Sequence, residues 1–228
     1  MTSPLPDKEQ RRWLECSDCG LSETRSGVIL GEVVQGRDQN APRLAIVGEA
    51  PGRAEDSEGA LFVGPSGDDL RQHYIDLNAV SQILLTNVCA CCPPVVRPPS
   101  ADEALSCSGR LVRELETFSP DLVALVGKTA STAWNEVLAA NPDFGKVAIV
   151  NVLHPSYVLR QGYPSEASIR LANEQGAKIE TALKTADDID YGPGIVRGGW
   201  LMRQGVRVEP LLFDVSTGEM QPLQAETK

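Results

Sequence analysis

Residues 43–52 read RLAIVGEAPG, and this stretch decides the fold. After Arg43 the run up to Gly48 is apolar without alternation, as suits a strand covered on both faces of a parallel sheet. The chain then leaves through Gly48, Glu49, Pro51 and Gly52, a turn that glycine loosens and proline stiffens. Three more runs share the character of the first: QILLTN (82–87), DLVALVG (121–127) and KVAIVNV (146–152). Helix-like segments separate them. SGDDLRQHYIDL (66–77) opens with a serine and early acids, SADEALSCSGRLVRELETF (100–118) has Ser100 and Glu103 at capping-box spacing, and KTASTAWNEVLAA (128–140) is a third. The alternation predicts an α/β fold: a three-layer α/β/α sandwich with a central, mainly parallel four-stranded sheet. Residues 164–189 read as a surface helix or two. After DYGPG (190–194) the pattern changes to short strand-like stretches with Gly turns. The expected division is therefore a domain over 1–189 and a C-terminal extension over 190–228, with a β hairpin and a disordered end.

The chain has 228 residues, 42% of them apolar, enough for one sizeable domain plus an appendage. No stretch reaches about 18 uninterrupted apolar residues, and the polar N-terminus has no signal-peptide core, so no membrane span and a cytoplasmic location are expected. The net charge of −10 argues against bulk attraction to nucleic acid. Contacts to nucleic acid would have to be local. Six cysteines fall at 16, 19, 89, 91, 92 and 107. In a reducing compartment they are not expected to form disulfides. Cys16 and Cys19 have a short chelating spacing, and Cys91 and Cys107 flank a Pro-rich loop. One short pair plus two distant thiolates can make a four-thiolate site for iron–sulfur or zinc.

Ligands of parallel α/β sheets bind at the carboxyl ends of the strands. Those ends carry chemistry here. GEAPG follows the first strand and supplies Glu49, with Glu55 and Asp56 just beyond as site acids or solvated ones. LFVGPSG (61–67) sets Phe62 on a Gly-flanked loop. Asn87 ends the second strand, and His154 follows the fourth in NVLHPSYVLR. A carboxylate, an amide, an imidazole and an aromatic ring suit a flat, hydrogen-bonding heterocycle. Phe62 can stack on its face, Asn87 can donate and accept along one edge, and His154 can donate to an oxygen that gains negative charge. Each has a plainer alternative: core phenylalanine, turn-capping asparagine, structural histidine.

At these residues the chain resembles the uracil-DNA glycosylase superfamily, and most closely its iron–sulfur family 4. The resemblance rests on five ordered stretches: CSDCGLSETRSGVILGE, LAIVGEAPGRAEDSEGALFVGPSG, LLTNVCACCPPVVRPPSADEALSC, PDLVALVGKTA and HPSYVLR. It implies that Cys16, Cys19, Cys91 and Cys107 ligate a structural [4Fe–4S] cluster, with zinc as the less favoured occupant. It implies that Glu49, Ala50, Pro51 and Gly52 line the base pocket and hold the attacking water, with Glu49 and His154 as the catalytic pair. Phe62 would stack on the flipped base and Asn87 would read its polar edge. Ser156, Tyr157, Leu159 and Arg160 would meet DNA, with Leu159 or Tyr157 filling the gap and Arg160 near phosphate. The implied activity is monofunctional: hydrolysis of the N-glycosidic bond of a flipped-out base, uracil first, leaving an abasic site in DNA repair. A monomer acting on DNA is expected. Lys128 is expected at the surface, not as a Schiff-base nucleophile.

Departures from the family lie on the substrate side. Ala90, Cys92 and Val96 occupy loop places where a basic residue and an asparagine are usual, and Gly59-Ala60-Leu61 precedes Phe62. Three alternatives stand beside the main reading. One is a glycosylase for another modified base, such as a hypermodified cytosine in phage DNA, acting in antiviral defence. Another is a non-catalytic iron–sulfur DNA-binding module. A thiol oxidoreductase fits poorly, because Cys16 and Cys19 precede the first βα unit.

Overall fold

A computed structural model of the chain describes residues 2–94, 97–141, 147–187, 211–214 and 219–222. Its strands are β1 (Glu32–Gln35), β2 (Arg43–Gly48), β3 (Gln82–Asn87), β4 (Leu122–Val126), β5 (Ala148–Val152), β6 (Leu211–Asp214) and β7 (Glu219–Pro222). They form one sheet in the order β1-β3-β2-β4-β5-β6-β7. The centre, β3-β2-β4-β5, is parallel, with Gly48 opposite Asn87, Val47 opposite Leu125, and Leu125 opposite Asn151. These are the four strands expected from sequence.

Three further strands widen the sheet. β1 pairs antiparallel with β3, β6 pairs parallel with β5, and β7 pairs antiparallel with β6. β6 and β7 fall within the stretch read as a C-terminal extension, and through β6 they join the central sheet. The rest of 190–228 lies outside the described residues, as do residues 188–189 and 142–146.

The helices are α1 (Asp7–Leu14), α2 (Arg53–Glu58), α3 (Pro65–Asp69), α4 (Ala101–Phe118), α5 (Lys128–Ala140), α6 (Pro155–Leu159) and α7 (Glu166–Asp187). α3 runs on into a single π turn, Leu70–Tyr74. Alternate strand residues enter two different cores, because side chains on a strand point to opposite faces. Ala45, Val47, Leu84, Val123, Leu125 and Ile149 meet Leu111, Leu115 and Phe118 of α4 and Trp134 of α5. Leu44, Ile46, Ile83, Leu85, Ala124 and Val150 meet Leu70 and Tyr74 of the π turn, Val158 of α6, and Ile179 and Leu183 of α7. Two covered faces explain why the runs are apolar throughout. They also make α7 a single layer-forming helix with a buried face, where the sequence suggests surface helix.

α4 starts from a closed capping box and receives the N-terminal helix on its outer face. Ser100 Oγ accepts from the Glu103 N–H at 3.2 Å, and Glu103 Oε2 accepts from the Ser100 N–H at 2.8 Å. α1 docks on α4 through a Glu9–Arg113 ion pair of 2.9 Å. The buried Trp13 ring lies over Gly109.

Candidate active site

The carboxyl ends of β2, β3, β4 and β5 open into one cavity of about 770 Å3. Its volume falls within the range of small-molecule sites. Glu49, Ala50, Pro51, Gly52, Phe62, Asn87, His154, Ser156, Tyr157 and Arg160 all line it. Of the residues expected around the base, only Leu159 is absent from the wall; it is half-buried on α6.

β2 and β3 end side by side, and their main chains stay joined beyond the strands. Val88 N–H donates to Gly48 O at 2.9 Å, and Cys89 N–H to Glu49 O at 3.0 Å. Gly48 leaves room for both: a Cβ there would run into Asn87 Oδ1, displacing that amide, and come within 3.1 Å of the Phe62 ring. The Asn87 amide is thus set against Phe62, with 5% of the residue exposed. It makes no hydrogen bond to any described residue.

Phe62 has a φ of 51°, a left-handed conformation that a bulky residue rarely adopts. Arg71, in the π turn, holds it there. Its guanidinium donates to the Phe62 carbonyl and, at 3.1 Å, to the Leu61 carbonyl.

His154 caps α6. Its Nδ1 accepts from the Ser156 N–H at 3.1 Å, so the ring proton sits on Nε2. Burial pulls its pKa below the usual value, and the nearby Arg160 charge adds to the shift. The imidazole is therefore neutral near pH 7, with one N–H donor facing the cavity. Its main chain is pinned next door: Leu153 O accepts from Tyr74 Oη–H at 3.0 Å, and Leu153 N–H donates to Gln175 Oε1 at 3.1 Å. Opposite, Gly127 has a φ of 88°, and a Cβ there would lie 3.0 Å from His154 Cβ.

Sequence reasoning missed several wall residues. Arg53, Arg97 and Lys128 line the cavity with Arg160. Lys128 is exposed at the first position of α5, the surface place expected for it, and its side also borders the cavity. The left-handed turn at Gly127 brings the start of α5 to the cavity. Arg97 is paired with Glu103 at 2.8 Å. Cys92 also lines the wall, apart from the other cysteines. Glu55 reaches the wall, whereas both Asp56 oxygens accept from the Ser26 N–H at 3.1 Å.

Cys19, Cys91 and Cys107 pack against the same core, and Cys16 lies near enough to Cys107 to feel its charge. Burial raises the Cys91 thiol, with charge on Cys107 and Cys19 adding to the rise. Burial also raises Cys16, which feels Cys107 as well. Arg25 bridges them, donating to Cys91 Sγ at 3.1 Å and to Cys16 O at 2.6 Å. The Ala90 N–H donates to Cys107 Sγ at 3.4 Å. Cys89, unassigned by the sequence, donates to Cys107 and holds it on the thiolate side. Among the described residues no group of three or more His, Cys, Asp and Glu is arranged to hold a metal ion.

Comparison with known proteins decides the family. A sequence profile of the uracil DNA glycosylase superfamily matches residues 35–175. The chain belongs to the uracil-DNA glycosylase superfamily. It is 32% identical to a type-4 uracil-DNA glycosylase of Saccharolobus solfataricus, over 79% of this chain and 89% of the relative. A second, from Archaeoglobus fulgidus, is 29% identical over 68% of this chain and 86% of the relative. A third, from Thermotoga maritima, is 30% identical over 64% and 79%. With this superfamily, the protein is an enzyme, a DNA glycosylase that hydrolyses N-glycosyl bonds. No described helix is long and apolar enough to cross a membrane.

Proposed function

We propose that the protein is a monofunctional uracil-DNA glycosylase that removes uracil from DNA and leaves an abasic site for repair. The observation that carries this reading is that Phe62, Asn87 and the neutral His154 face one cavity at the rim of the sheet. A uracil extruded from the duplex would stack on Phe62. The Asn87 amide, without another partner, would accept from N3–H and donate to O4. His154 Nε2–H would donate to O2, where negative charge gathers as the glycosidic bond breaks. A neutral donor fits that role because it stabilises the anion without having to give up its proton. Water held between Glu49 and Gly52 would attack the sugar carbon, whose cationic character the carboxylates Glu49 and Glu55 offset. Arg53, Lys128 and Arg160 at the mouth would meet backbone phosphates. Tyr157, 45% exposed and on the cavity wall, is better placed than Leu159 to fill the gap in the duplex.

Cys16, Cys19, Cys91 and Cys107 would hold a [4Fe–4S] cluster. The N–H donors of Arg25 and Ala90 on sulfur suit thiolate ligands. Once bound, the cluster supplies a structural tie between the N-terminal segment and α4. Catalysis is assigned to 1–189. Residues 190–228 add β6 and β7 and give no described residue to the cavity.

The test is alkali cleavage of duplexes carrying uracil, thymine, hypoxanthine or a hypermodified cytosine. Cleavage at uracil alone is expected, and only after alkali. Cleavage at the modified cytosine alone would transfer the site to another base. Anaerobically purified protein should contain iron and acid-labile sulfide in equal amounts; zinc in their place would refute the cluster.

A further inference from the structure

Behind the β3 tip lies a buried ionic network that the reaction itself does not use. Arg110 of α4 is 1% exposed and Glu114, one turn on, is fully buried. Arg110 Nη1 donates to Glu114 Oε2 at 2.6 Å and to Thr86 Oγ1 at 3.0 Å. Its Nη2 donates to the main-chain carbonyls of Asn87 at 2.5 Å and Val88 at 2.8 Å. Glu114 also accepts from the Thr86 hydroxyl at 2.6 Å and from the Gly31 N–H at 2.8 Å. One guanidinium thus holds three successive residues, Thr86, Asn87 and Val88.

The Asn87 amide has no hydrogen bond of its own to a described residue, so its direction is set by its main chain and by contact with Gly48 and Phe62. We propose that Arg110 is the positioning residue for base recognition: by gripping the carbonyls of Asn87 and Val88 it fixes where the Asn87 amide points into the cavity. A buried ion pair is not needed merely to fill this space, because an apolar pair of similar volume is often as stable. The planar fork of arginine explains the choice, since it reaches two adjacent carbonyls while a second edge stays on its carboxylate. The inference rests on the proposed base-binding role of Asn87.

The test is a mutant cycle in the full chain. Arg110→Met with Glu114→Leu swaps the ion pair for an apolar one, and Arg110→Lys keeps the charge but loses the fork. Each is combined with Asn87→Ala. Because Cys107 sits against the same guanidinium, iron content and thermal midpoint are measured alongside. With iron content matching the parent, single-turnover excision of uracil should fall at least about tenfold in both variants, while duplex affinity stays within about threefold. On the Asn87→Ala background neither change should slow excision further, because the amide it aims is gone. Unchanged rates in a folded variant, or losses that multiply with Asn87→Ala, overturn the proposal and leave Arg110 as scaffold. Should the double variant not fold, Arg110→Lys decides alone. A parent that excises no base sinks the base-binding reading and this one with it; an active parent with multiplying losses sinks this one only.

Discussion

His154 owes its protonation state to its neighbours. Its Nδ1 lone pair is taken by the Ser156 N–H, and burial disfavours the imidazolium. Activity should hold steady from neutral pH down past about 6.5, the ordinary histidine value, and fall only in more acidic solution. A pH–rate profile of single-turnover excision checks this, and a limb centred above about 6.5 would contradict it. The same shift has a stability consequence. The unfolded chain takes up its proton first, so the contribution of this group is whole above about pH 6.5 and declines below it. His154→Ala and Asn87→Ala should each slow excision at least about tenfold, as loss of one transition-state hydrogen bond would. Glu49, Asn87 and His154 could be picked out because each stands at or just beyond the end of a recognisable strand, and Phe62 because glycines flank its loop. Arg71, Tyr74, Gln175 and Arg110 were not. They act by donating to, or accepting from, main-chain groups across distant parts of the chain, and one sequence carries no signal of such pairings. That Lys128 borders the cavity as well as the solvent was not legible, because it depends on the left-handed φ of Gly127, which pattern does not reveal.

α4 is the element on which the cysteine site and the cavity both depend, because it carries Cys107, Arg110 and Glu114. Its start was readable, since a capping box is written in neighbouring residues. Ser100→Ala should cost about 1 kcal/mol, seen as a fall of roughly 2–4 °C in melting temperature. Glu103 also holds Arg97, so Glu103→Ala should loosen that guanidinium toward the cavity as well as weaken the cap. Leu111 is fully buried in the α4 core, and Leu111→Ala should cost about 2–5 kcal/mol by denaturant unfolding. The four central strands were equally plain, because burial on both faces makes a run uniformly apolar. β1 left no such mark. It is a four-residue edge strand, EVVQ, with three half-buried residues and one exposed. The depth of α7 was also hidden: its charged outer face dominates the sequence, while Ala172, Ile179 and Leu183 seal one core.

At the scale of the whole molecule, a chain of net charge −10 gathers Arg53, Lys128 and Arg160 at the mouth of one cavity. Long-range attraction to DNA is weak, and local contacts must replace it. Duplex affinity should fall as salt rises, and Lys128→Ala and Arg160→Ala should each flatten the logarithmic salt slope by roughly one phosphate contact. Equal slopes in parent and variants, measured by fluorescence anisotropy, would take these cations off the DNA path. The far edge of the sheet carries a different consequence. β6 lies along β5 with Ala148 opposite Leu211, and β7 closes outside it. A protein cut after residue 187 would present β5 with a free row of amides and carbonyls, an invitation to strand addition by another copy. Such a truncated form should self-associate as its concentration rises, so the C-terminal stretch would serve as a hem that keeps the fabric from fraying.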